Sequence, residues 1–102
     1  MKSKVRVEVK TYATSVHVFL EEKEIGLWYD GDNLFKATKE INIPDCILDL
    51  EFKCDGFNYT DWEINVWLDD AEKPLFKRKG SIMKRGNCSF REYVEIPDCK
   101  PE

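Results

Sequence analysis

Long apolar runs are absent from this 102-residue chain, and no segment has the length of a membrane-spanning helix. No apolar stretch keeps a 3.6-residue period, which predicts little or no helix. Histidine occurs once, at His17, and no C-x-x-C spacing links the four cysteines. That argues against a zinc site. A catalytic pair needs hydrogen-bond contact and an orienting third group. Nothing places a cysteine near His17, so no catalytic residue is assigned. The expectation is a chain that is not an enzyme and carries no metal or cofactor. Excess charge is also scarce. A formal charge of −4 gives no general nucleic-acid or membrane signal.

Met1-Lys2-Ser3-Lys4 leads into an alternating strand without the apolar core of a signal peptide. The expectation is a cytoplasmic chain. A secreted one follows if Met1 was added to a mature sequence. Asn58-Tyr59-Thr60 and Asn87-Cys88-Ser89 fit the glycosylation triplet, but such triplets arise often by chance.

What is present is repetition. Val5-Arg6-Val7-Glu8-Val9-Lys10 matches Leu48-Asp49-Leu50-Glu51-Phe52-Lys53. Val16 to Trp28 matches Ile64 to Phe76 without a gap. Both copies close on Ile-Pro-Asp-Cys, at Ile43 to Cys46 and at Ile96 to Cys99. The repeats span 5–46 and 48–99, and only Asp45 and Cys46 separate the predicted fourth strand from the fifth. Proline lacks an N–H and stops a ladder, so this junction reads as a corner, not a linker. The chain, 1–102, is therefore expected to be one domain.

Within each repeat the period is two. Val5, Val7 and Val9 share one face, with Lys4, Arg6, Glu8 and Lys10 on the other. An isolated four-strand unit of this kind would leave its apolar face wet. The predicted fold is all-β, a single-domain β-sandwich of about eight strands built from two tandem four-strand repeats. A closed β-barrel is the alternative. The predicted core includes Val7, Val18, Leu20, Leu27, Leu50, Ile64, Val66 and Val94. A two-residue turn at Glu22-Lys23 is expected to pair Leu20 with Ile25, Val18 with Leu27 and His17 with Trp28. Glu92 breaks the inward row of Phe90, Val94 and Ile96, which predicts a bulge.

Running the strand at 47–54 antiparallel to that at 88–96 sets Cys54 against Cys88 and Cys46 near Cys99. Two disulfides fit that arrangement. Free thiols are the expectation for a cytoplasmic chain.

The functional expectation rests on aromatics placed outward by parity. Phe19 and Trp28 in the first repeat match Trp67 and Phe76 in the second, and Tyr93 is outward as well. Large apolar groups on a face meant for water mark an interface when they cluster. The first reading is a non-catalytic binding module for a protein partner or a second copy of itself. The second is a glycan-binding module, since Trp28, Tyr29, Asp30, Asp32 and Asn33 combine stacking rings with hydroxyl partners. The third is anion or nucleic-acid binding through the basic hairpin 77–85. Weak aromatic interleaving there disfavours nucleic acid.

Overall fold

A computed structural model describes residues 1–100. The alternating segments form nine strands: β1 (Lys2–Thr11), β2 (Ser15–Leu20), β3 (Lys23–Ile25), β4 (Trp28–Tyr29), β5 (Leu34–Asn42), β6 (Ile47–Asp55), β7 (Asp61–Leu68), β8 (Phe76–Ser81) and β9 (Asn87–Glu95). They build two antiparallel sheets. The first has the order β4-β5-β1-β7-β8 and the second β3-β2-β6-β9. Neither closes on itself, so the chain is a sandwich and the barrel alternative is excluded.

The strand orders correspond under a two-fold exchange of sheets. In each half the first and last strands pair, β1 with β5 and β6 with β9. The second strand of each half crosses over and pairs with the first strand of the other, β7 with β1 and β2 with β6. This exchange encloses one shared apolar layer. Val5, Val7, Val9, Val18, Leu20, Leu48, Leu50, Phe52, Ile64 and Val66 are fully buried. Leu27 and Val94 are only half-buried. Leu27 lies where the chain passes between the sheets, and Val94 sits on an edge strand.

The third strand breaks the correspondence and accounts for the ninth strand. The hairpin after β2 turns at Glu21-Glu22, both with positive φ (51° and 68°), one residue earlier than the sequence suggests. Val18 therefore pairs with Ile25, not Leu27. A two-residue loop with left-handed dihedrals matches the strand twist even though glutamate is a poor residue for it. Gly26 and Leu27 then carry the chain to the other sheet, where Trp28 pairs with Lys36. Trp28 is thus not opposite His17. In the second half the connection after β7 is longer, and β8 stays beside β7 from Val66↔Phe76 to Asp61↔Ser81.

The expected bulge at Glu92 is absent. The β6–β9 register is continuous from Ile47↔Glu95 to Asp55↔Asn87. Glu92 keeps its inward parity because β9 is an edge strand and Arg78 of β8 reaches across to it, with Nη1–Oε1 3.1 Å apart. The same guanidinium lies 4.5 Å from the Phe90 ring centroid. Beneath it Phe52, Trp62 and Phe90 pack with centroids 5.0–5.6 Å apart. Charge and aromatic packing together close this side of the sandwich.

Cys54 does oppose Cys88, but both are free thiols. Cys46 and Cys99 form a disulfide with Cα atoms 5.7 Å apart. All-free thiols and two disulfides are both incorrect, and the bridge ties the corner between the halves to the end of the chain.

Candidate functional site

The outward aromatics do not form one patch. Phe19 and Trp67 occupy equivalent strands, and the two-fold exchange sends those strands to different sheets. Equivalent outward residues therefore face opposite sides of the molecule. Each ring is half-buried under a cation. Arg6 lies 4.3 Å from the Trp67 centroid and Lys53 lies 5.4 Å from that of Phe19. Phe76 is not outward. It pairs with Val66 in the inner row and meets Phe90 at 6.0 Å. Trp28 is 55% exposed on the short edge strand β4, and Tyr93 is exposed on β9.

The exposed apolar surface concentrates instead at one end of the sandwich. There the loops 12–14, 30–33, 56–60 and 82–86 join β1 to β2, β4 to β5, β6 to β7 and β8 to β9. They present Tyr12 at 78%, Phe57 at 81%, Tyr59 at 67% and Met83 at 62% exposure, with Tyr29 close by on β4. Loop residues carry no strand parity, so reading faces along strands passes over them. The available signal was Phe57, Tyr59 and Met83 standing in segments whose neighbours are glycine, asparagine and lysine.

These loops are held by hydrogen bonds. Gly56 N donates to Gly86 O (2.9 Å), Gly86 N to Asn58 Oδ1 (2.9 Å) and Ile82 N to Thr60 O (2.8 Å). Tyr59 N returns a bond to Ile82 O, and Ile82 itself is fully buried. Gly56 fits tightly, since a Cβ there would lie 3.2 Å from both Ala13 Cα and Ile82 Cδ1. Tyr59 has φ 69° and Arg85 φ 96°. A bulky residue in the left-handed region is costly and persists only where surrounding bonds impose it. The outcome is a preorganised apolar tip.

Beside the tip runs a groove of about 620 Å³ on the outer face of the first sheet. Lys10, Tyr12, Asn33, Glu63, Lys79 and Ser81 are among its lining residues. Lys10, Lys79, Lys84 and Arg85 make no ion pair among the described residues. Of the five residues with glycan-binding chemistry only Asn33 reaches this groove. Tyr29 Oη accepts a bond from Asn33 N (3.0 Å), and Asp30 is paired with Lys36 at 3.0 Å. The basic hairpin is likewise divided. Arg78 turns inward to Glu92, Lys77 lies 3.9 Å from Glu63, and only Lys79, Lys84 and Arg85 stay unpaired.

The outer face of the second sheet carries more acids than bases. Arg91 grips both oxygens of Asp49 (2.9 and 2.6 Å) and reaches Glu22 at 3.2 Å. These bonds, those to Asp49 first, hold its guanidinium more firmly protonated than usual. Burial pushes the neighbouring Glu21 carboxyl upward, against a bond from Asp49 N. His17 contacts Glu24 through Nδ1. Among the described residues no cluster of three or more His, Cys, Asp or Glu is placed to hold a metal. No helix among them is long and apolar enough to cross a membrane. No family model, curated protein or solved structure matches the chain.

Proposed function

We propose that this chain is a non-catalytic binding module that engages another protein through the loop end of its sandwich. The observation that carries this reading is the set of exposed side chains Phe57, Tyr59 and Met83 on two loops hydrogen-bonded together, with Tyr12 exposed on the 12–14 loop packed against Gly56. Rigid aromatic side chains on glycine- and asparagine-bearing loops offer contact area at low entropic cost. Lys10, Lys79, Lys84 and Arg85 border the tip, so the complementary partner has an apolar centre and an acidic rim. The Cys46–Cys99 bridge favours an oxidising compartment over the cytoplasm.

The test is a Phe57→Ser, Tyr59→Ser, Met83→Ser variant compared with the parent chain in affinity capture. The partners retained by the parent and lost by the variant define the target, provided the variant melts at a similar temperature. Identical partner sets from the two proteins contradict the reading.

A glycan in the groove is the second reading, and one observation favours it. The volume suits a small ligand, and Tyr12 lies among Lys10, Asn33, Glu63 and Ser81. A glycan array separates the two readings directly.

A further inference from the structure

The two-fold correspondence leaves one strand position empty. β5 is flanked on both sides, by β1 and by β4. Its counterpart β9 is flanked only by β6. The missing neighbour is the third-strand segment, which in the second half stays beside β7 as β8.

The open edge can be read from ladder alternation. Ile96 N donates to Cys46 O, and Glu21 N donates to Asp49 O. Odd residues of β6 thus bond β2, and even residues bond the even residues of β9. The N–H and C=O groups of Ser89, Arg91, Tyr93 and Glu95 therefore point away from the sheet. β3 and β4 are edges of three and two residues, and β8 carries Lys77-Arg78-Lys79 along its length. Short or basic edges resist pairing. β9 is nine residues long and holds no lysine or proline. Its one inward charge, Glu92, is taken up by Arg78.

We propose that β9 pairs antiparallel with β9 of a second copy, joining two four-stranded sheets into one continuous sheet. Like charges disfavour two of the registers. Centring on Arg91 opposes two arginines, and centring on Glu92 opposes two glutamates; like charges directly opposite destabilise a ladder. Centring on Tyr93 sets Arg91 against the partner's Glu95 in both directions and Tyr93 against the partner's Tyr93. Tyr93 is exposed on the outer face, where a partner's ring can reach it. The arrangement is isologous and closes at two copies. It is independent of the loop end, which lies beyond the Asn87 end of β9.

Sedimentation equilibrium tests it. The expected mass is twice the 12.0 kDa of one chain. Glu95→Arg places arginine opposite Arg91 at both pairs and should weaken the dimer roughly tenfold or more in Kd. Tyr93→Cys, in a Cys88→Ser background and oxidised with glutathione disulfide, should give a cross-linked dimer through residue 93. The serine loop-tip variant should remain dimeric, which separates this inference from the function proposed above. A parent chain that sediments as a monomer throughout the micromolar range overturns the proposal. So does a dimer whose affinity Glu95→Arg leaves unchanged and which Tyr93→Cys fails to cross-link.

Discussion

Gly80→Ala tests the packing that closes the open side of the sandwich. Gly80 pairs with Trp62 across β7 and β8. A Cβ at Gly80 would sit 2.6 Å from Trp62 Cζ2 and 3.1 Å from Cε2. The indole cannot move aside freely. It is 5% exposed and packs between Phe52 and Phe90, with centroids at 5.0 and 5.6 Å. Forcing a methyl into a packed core costs about 1–3 kcal/mol. Replacing glycine returns about 0.4–1 kcal/mol by restricting the unfolded chain. The net loss is about 0–2.6 kcal/mol, and its centre, about 1.3 kcal/mol, corresponds to roughly 5–10 °C in Tm for a domain of this size. Urea unfolding of the parent, Gly80→Ala, Trp62→Phe and the double variant completes a cycle. Phenylalanine lacks Cζ2 and also removes the buried, unpartnered Trp62 Nε1. In that background the alanine should cost much less. An equal effect of Gly80→Ala in the parent and Trp62→Phe backgrounds refutes the packing argument.

Three further outcomes follow from the cysteines. Burial first, then the neighbouring Cys88 and Asp55 charges, push the Cys54 thiol from 9.0 up to about 12. A thiol that holds its proton more tightly when folded stabilises the fold below about pH 9. That contribution drains away as pH rises toward 12 and amounts to at most about 4 kcal/mol. Cys54→Ala should flatten the alkaline limb of stability measured from pH 8 to 11, and iodoacetamide at neutral pH should label Cys88 well before Cys54. The Cys46–Cys99 bridge spans a sequence separation of 53. In the chain-entropy model a loop of that length stabilises by about 4 kcal/mol, so a matched Cys46→Ser, Cys99→Ser variant should show that loss in denaturant titration.

Much of the fold was legible because alternation and repetition are local signals. The valines of β1, Leu50, Ile64 and Val66 fell on the inner face, and the Cys54–Cys88 pairing followed from antiparallel alignment of β6 with β9. The third strand was not legible. The match from Val16 to Trp28 with Ile64 to Phe76 has no gap, yet the two hairpins differ. Which sheet a short strand joins depends on turn dihedrals at Glu21 and Glu22 that glutamate does not announce. Glu92 misled for a related reason. A charge in an inward row suggests a bulge only when its partner across the sandwich is unknown, and Arg78 supplies that partner. The candidate site was the least legible part. The convergence of Tyr12, Phe57, Tyr59 and Met83 at one end is a property of the topology, since those residues come from loops far apart in the chain.

The most direct measurement places a photoactivatable phenylalanine analogue at Phe57, and separately at Trp67, in an extract of the cells that make the protein. Position 57 lies on the loop end and position 67 on an outer sheet face beneath Arg6. Binding through the loop end predicts a discrete protein adduct from position 57 and none from position 67. An adduct from position 67 alone contradicts it.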